Sequence, residues 1–261
     1  MNGAIRLIPR RGERYAAVLI AAGILAVWEA LSRAGLVSTL FFPGPSTILA
    51  SMVALLLSGM LPVQVAATLG RLALGFALGS APALALGLAM GWSRRLNAAL
   101  DPLVASAHPI PKIAIFPLIM ILFGIGETSR VILIALAVFF PVLINTASSV
   151  RQISPIHFEV AANYGASRFK TFTRVLFPGS LPMILTGLRL GINIALLITI
   201  ALEMVLPNRG LGTMVWRAWE TMRPEQIYAS LVVIALLGVG FNLTLRLLER
   251  RLVPWQSGGE A

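Results

Sequence analysis

Residues 131–150 read VILIALAVFFPVLINTASSV, twenty positions without a single charge. A helix of that length covers roughly 30 Å, the thickness of a bilayer's hydrocarbon core. It is apolar all round, so no face is reserved for water, and such a helix belongs inside a bundle or in lipid. Pro141 lacks an N–H and predicts a kink. Asn145 and Thr146 follow it as polar groups for a lumen or for interhelical hydrogen bonds. Comparable windows lie on both sides, at residues 15–32, 72–92, 103–123, 181–205 and 227–245. Six spans predict an all-α fold, a polytopic membrane helix bundle.

Composition excludes the water-soluble alternative. With 57% hydrophobic and 12% charged residues, 261 positions leave too little polar surface to clothe a globule. Cysteine is absent, which removes disulfides, thiolate nucleophiles and sulfur-ligated metals. The two histidines, His108 and His157, have no metal-ligand partner at useful spacing. His108 reads as a satisfied polar group in a helix break and His157 as a loop contact. No HExxH, GxSxG or GxxxxGK[ST] pattern occurs, so no enzyme chemistry, metal or cofactor is expected on this chain.

The third window is unlike the rest. Its first half holds Pro109, Pro111, Pro117 and Lys112 and predicts a broken or kinked helix that its neighbours shield. Between the first two windows, residues 41–62 open with the turn FPGPS. An apolar stretch follows at 47–57, too short to cross, which predicts a re-entrant or surface helix. Gly75 and Gly79, then Gly87 and Gly91, sit at helix-contact spacing and predict close packing. The parts are thus a basic tail at 1–14, a first span with an external helix at 15–62, a core at 63–250 and a second tail at 251–261. The run after residue 14 is long for a signal sequence and has no cleavage site behind it, so it reads as a retained anchor.

The net charge of +11 comes mainly from arginines between the windows, where it orients the chain in lipid and does not indicate nucleic acid. One set of loops and tails carries Arg6, Arg10, Arg11, Arg14, Arg94, Arg95, Arg151, Arg168, Lys170, Arg174, Arg246, Arg250 and Arg251. The other carries only Arg33, Arg130, Arg209, Arg217 and Arg223. The richer side is cytosolic by the positive-inside rule, which places both termini there. The longest cytosolic loop is then 151–178.

That loop contains ISPIHFEVAANYGASRFKTFTRVLFPGSLP, residues 153–182, with a helical pattern unusual for a connection. Ser154 and Pro155 read as N-cap and first helical residue, and the helix breaks at Gly165. Ala161, Ala162 and Gly165 lack bulk and suit a turn that enters a groove on another protein. Ser167 caps a second predicted helix, 168–177, ending at Pro178.

In the fifth window Thr186, Arg189, Asn193 and Glu203 fall within one arc of about 100°. Charges are costly in hydrocarbon, so this stripe lines a translocation path or pairs with another span. Asn145 is a further path candidate. Glu29 is expected to pair with Arg71 or Arg33. The external turns Gly124-Ile125-Gly126-Glu127 and Gly210-Leu211-Gly212 are explained by tight turning alone.

Glu159-Val160-Ala161, three residues, Gly165, nine residues, Val175, one residue, Phe177-Pro178 resembles the EAA motif of binding-protein-dependent ABC importer permeases, E-A-A-x3-G-x9-I-x-L-P. Val160, Val175 and Phe177 replace Ala, Ile and Leu, apolar for apolar. The resemblance implies a coupling helix that docks on a cytosolic ATPase dimer, with Glu159, Ala161, Ala162, Gly165 and Pro178 as contacts and with ATP and Mg on that partner. It also implies the type I importer fold, an external solute-binding protein and a bacterial inner-membrane location. FPLIMILFGIGETSR (116–130), FFPVLINT (139–146) and ALEMVLPNRGLGTMV (201–215) are similar to permeases for nitrate, bicarbonate, taurine and aliphatic sulfonates. Leu122 stands where that subfamily has tryptophan. Six spans make a thin wall, so a second permease copy is expected around a two-fold axis. A passive channel, a membrane-embedded enzyme, and an importer of a vitamin precursor or aromatic acid are the alternatives.

Overall fold

A computed structural model describes residues 11–255, so the basic residues at positions 6 and 10 and most of the C-terminal tail lie outside the described residues. Eleven helices follow one another among these residues: α1 Arg11–Arg33, α2 Pro45–Leu57, α3 Met60–Trp92, α4 Arg94–Ala107, α5 Phe116–Phe123, α6 Glu127–Arg151, α7 Pro155–Asn163, α8 Arg168–Thr171, α9 Phe177–Val205, α10 Leu211–Glu220 and α11 Pro224–Leu252. A 3-10 turn, Lys112–Ile115, precedes α5, and a π-turn, Phe172–Leu176, joins α8 to α9. Helix α3, helix α6, the continuous run 168–205 and α11 are each long and apolar enough to cross a membrane. The α4–α5 pair makes a fifth crossing when its two arms count as one. Helix α1 covers the first predicted window, and α2 is the short apolar helix expected between the first two.

The chain divides into two compact units. In the unit of residues 1–62 and 214–232, the FPGPS turn is held by Glu29. Its carboxylate accepts from the Ser46 backbone N–H at 2.9 Å and the Ser46 hydroxyl at 2.6 Å, and pairs with Arg33 at 2.6 Å. Gly44 at the N-cap of α2 has no side chain to offer, so a carboxylate seventeen residues away satisfies an orphan donor of the first turn. Glu29 therefore takes the Arg33 alternative. Tyr228 donates to the Phe41 carbonyl at 3.0 Å and meets the Trp28 ring edge-on at 5.7 Å.

In the unit of residues 63–213 and 233–261, α6 is the most buried membrane helix, with Leu133, Ile134, Val138, Val142 and Leu143 removed from solvent. Helix α9 packs along it. The predicted glycines of α3 are where α6 comes nearest: a Cβ on Gly87 would sit 2.7 Å from the Thr146 Cβ, and one on Gly75 2.7 Å from the Ile134 Cβ. On α9, Gly187 approaches the Asn145 Cβ equally closely. Two backbones brought this near gain dispersion where lipid supplies no hydrophobic drive.

Two boundaries differ from expectation and one open alternative is decided, each for a physical reason. Helix α3 starts at Met60, twelve residues before the predicted span, because Gln64, Thr68 and Arg71 continue the helix on one stripe and find partners described below. The third span resolves into its broken alternative: α4 and α5 lie 85° apart, since Pro109 and Pro111 remove two N–H donors and restrict His108 and Ile110 before them. Pro178 does not end a helix, as predicted, but sits in the first turn of α9, and the π-turn just before it widens the ladder where the prolyl ring would clash.

Candidate functional site

Helix α7 stands where the pattern placed it. Pro155 occupies its first turn, while Ser154 sits at the N-cap without making a side-chain cap bond. The helix stops in a Schellman motif: Ala166 N–H donates to the Ala161 carbonyl and Gly165 N–H to that of Ala162, both at 2.9 Å. Gly165 takes φ +66°, a conformation that costs any residue with a Cβ, and the surrounding space is open. Backbone conformation therefore requires this glycine. Ser167 caps α8, accepting from Lys170 N–H at 3.3 Å.

Ile156, Val160 and Tyr164 recur every four residues and are 58%, 48% and 87% exposed, with Phe169 at 76% beyond the turn. Glu159 is exposed and forms no ion pair among the described residues. Two cavities of about 420 and 480 Å³ flank the helix. The first is lined by His157, Val160, Ala161, Arg174, Pro178 and Trp255, the second by Trp92, Arg151, Phe158, Glu159 and Thr171. Glu159, Ala161 and Pro178 thus line hollows beside α7, whereas Ala162 and Gly165 lie on its exposed side. An apolar row at the edge of two hollows suits a partner's cleft better than water.

The predicted path stripe of α9 divides between two places. Arg189 pairs with Glu249 of α11, and Asn193 accepts from Asn242 of the same helix at 3.1 Å. Thr186 donates to its own helix at Pro182, and Asn145 of α6 likewise to Pro141 at 2.8 Å. Glu203 lies fourteen residues beyond Arg189, roughly 20 Å along the helix, and is fully buried. Its carboxylate accepts from the Thr68 hydroxyl at 2.9 and 3.0 Å, from Arg71 and from Gly212 N–H at 2.9 Å. Arg71 reaches on to Glu127 through Nε at 2.6 Å and Nη2 at 2.8 Å. Glu127 also accepts from Arg130, which donates to the Leu206 carbonyl at 2.6 Å.

Two positive and two negative groups thereby cancel at the junction of α3, α6, α9 and α10. The Gly210–Gly212 turn is tied into it: Gly210 N–H donates to Gln64 at 2.5 Å and Leu211 N–H to Thr68 at 2.9 Å. A Cβ on Gly212 would fall 2.8 Å from that of Glu203, so this turn is glycine-rich because a carboxylate is packed against it. The sequence reading named Glu203 but missed Thr68, Arg71, Glu127 and Arg130 as its associates. The spacing of Gln64, Thr68 and Arg71, which places them on one helical face, was the available signal. No cluster of three or more potential metal ligands occurs among the described residues.

Known proteins resemble this chain in sequence, and a solved transporter resembles it in fold. Residues 81–258 match the family model described as binding-protein-dependent transport system inner membrane component. The taurine transport system permease protein TauC of Escherichia coli K12 is 36% identical over 237 residues, 89% of this chain and 86% of the relative. The nitrate import permease protein NrtB of Synechocystis is 30% identical, over 88% of this chain and 86% of its own. The inward-facing MetNI methionine ABC transporter shares the fold at a TM-score of 0.58 and 16% identity, over 72% of this chain and 91% of the solved one. The all-helical chain with its knob at 155–169 belongs to the binding-protein-dependent inner-membrane permeases, the membrane subunits of ABC importers, which leave ATP hydrolysis to a separate subunit.

Proposed function

We propose that this permease carries a small oxyanion, of the sulfonate, taurine, nitrate or bicarbonate type, handed over by an external binding protein. Similarity to the taurine and nitrate permeases supports that substrate class. Two copies related by a two-fold axis enclose the passage, and both termini face the cytosol in the bacterial inner membrane. A pair of cytosolic ATPases holding ATP and Mg grips the α7 knobs, with Glu159, Ala161, Ala162, Gly165 and Pro178 at or beside the joint. ATP binding then shifts the bundle through its different affinity for two conformations. Arg189, Asn193 and Asn145 border the passage, and Glu203 holds its external end.

The observation that carries this reading is the exposed row Ile156, Val160, Tyr164 and Phe169, displayed in and beside the segment with the EAA spacing, in a loop that positive charge assigns to the cytosol. Its test is co-purification of the cognate ATPase with Val160→Glu and Tyr164→Asp. Both side chains project into solvent, so the membrane subunit should accumulate normally while the ATPase is lost from the complex. Full retention of the ATPase by both variants would overturn the docking assignment. The passive-channel reading predicts solute flux without nucleotide, which reconstitution measures directly.

A further inference from the structure

Basic side chains in the unit of residues 63–213 and 233–261 are held in two ways. Arg71 and Arg130 share Glu127, Arg71 also meets Glu203, and Arg189 meets Glu249. Lys112 meets no carboxylate among the described residues. Its ammonium donates instead to the carbonyls of Ala107 at 2.9 Å, His108 at 3.0 Å and Ile110 at 2.9 Å, and lies 4.4 Å from the centre of the Phe140 ring. These acceptors lie where α4 ends and the chain turns by 85°, and the Ala107 carbonyl also accepts from the Ile110 N–H at 3.4 Å. The carbonyls and the ring fix the ammonium in place without cancelling its charge.

The break itself is open. His108, Pro109, Ile110 and Pro111 are all exposed, and the two prolines leave the helix ladder interrupted between arms that satisfy the length and hydropathy of a span only together. Irregular backbone at membrane depth survives where it is buried in protein or borders water, and an uncompensated charge there is expensive unless used.

We propose that the break at residues 108–112 borders the solute passage and that Lys112 supplies the counter-charge met by an oxyanion in transit. This rests on the importer reading above. With all three N–H groups engaged, Lys112 acts first through its field. An oxyanion oxygen that displaces the exposed His108 carbonyl then gains a charge-assisted hydrogen bond. Lys112 is thus a specificity-determining residue, and the bare alternative, a lysine that merely caps α4, makes a different prediction.

The chain has no cysteine, so Ile110→Cys introduces a unique thiol. In the complete transporter in proteoliposomes, a charged, membrane-impermeant thiol reagent should modify Ile110→Cys. The rate should fall several-fold when taurine or nitrate is supplied with the binding protein and nucleotide. Lys112→Gln should raise the half-saturating solute concentration about tenfold, and Lys112→Arg should restore most of it. A thiol that stays unreactive, or whose reactivity ignores solute and nucleotide, overturns the proposal, as does unchanged half-saturation in Lys112→Gln. If Lys112→Gln fails to accumulate, Lys112→Arg and the thiol assay decide alone. Failure of the wild-type chain to bind an ATPase would strike the importer reading instead.

Discussion

The α7 knob and the Glu203 cluster sit in the same chain and treat their chemistry in opposite ways. Around Glu203 every charge is matched, the carboxylate has no contact with solvent, and three backbone N–H groups of the Gly210–Gly212 turn find side-chain acceptors. On α7 the apolar row faces outward and Glu159 is left without a salt bridge among the described residues. One region pairs its charges within a single polypeptide. The other gains its partners only in an assembly, and each region should respond to mutation accordingly.

The largest effect is expected in the paired region. Glu203→Ala strands Arg71 beside one remaining carboxylate and leaves Gly212 N–H and the Thr68 hydroxyl without their acceptor. Breaking a buried pair from one side typically costs about 3–5 kcal/mol. The variant should lose most of its folded yield and melt well below the wild type in detergent, as measured by thermal unfolding monitored on size-exclusion chromatography. Glu203→Gln keeps an acceptor for Gly212 and should fall between the two. A melting temperature unchanged in Glu203→Ala would mean the cluster does not tie α3, α9 and α10 together.

How legible each region was in the sequence follows from the same contrast. The knob is local: Pro155, Gly165 and the apolar spacing lie within one loop, so cap chemistry and periodicity predict its start and stop. The cluster is assembled from residues 64, 68, 71, 127, 130 and 203, whose separation hides it from any window of hydropathy. Gln64, Thr68 and Arg71 lower the local hydropathy although they lie on α3 with partners waiting, so an apolar stretch alone starts that span at residue 72. The Pro178 boundary was misplaced since a proline stops a helix only when the ladder cannot widen, and a π-turn widens it here. For the third span, Pro109, Pro111 and Pro117 predict a broken or kinked helix, while the choice between the two and the 85° angle depend on packing that the sequence does not display.

A middle-sized effect is expected at Gly165. The position is open, so alanine meets no atom within 4 Å, but φ +66° disfavours any Cβ. Gly165→Ala should cost about 1 kcal/mol, too little to lower expression. It should loosen the Schellman stop between α7 and α8. Solute-stimulated ATP hydrolysis by the complex should therefore drop severalfold while the melting temperature of the membrane subunit falls by only about 2–4 °C. Gly165→Asn, a residue that tolerates the left-handed region, should recover part of the loss. Equal activity of the alanine and wild-type complexes would show that the geometry of this stop is irrelevant to coupling.

The smallest effect on the isolated subunit belongs to Glu159. Glu159 is exposed and has no salt bridge among the described residues, and surface changes of this kind stay within about 0.5 kcal/mol. If α7 seats in a cleft of the ATPase, however, its carboxylate faces that cleft's rim. A rim charge changes the rate of association and its salt dependence more than the final affinity. Glu159→Gln should thus leave the membrane subunit's melting temperature untouched, slow recapture of the ATPase at low ionic strength, and converge with the wild type as salt is raised. Should the variant instead destabilise the free subunit, Glu159 would have an internal partner, and the knob would resemble the Glu203 cluster more than its exposed row suggests.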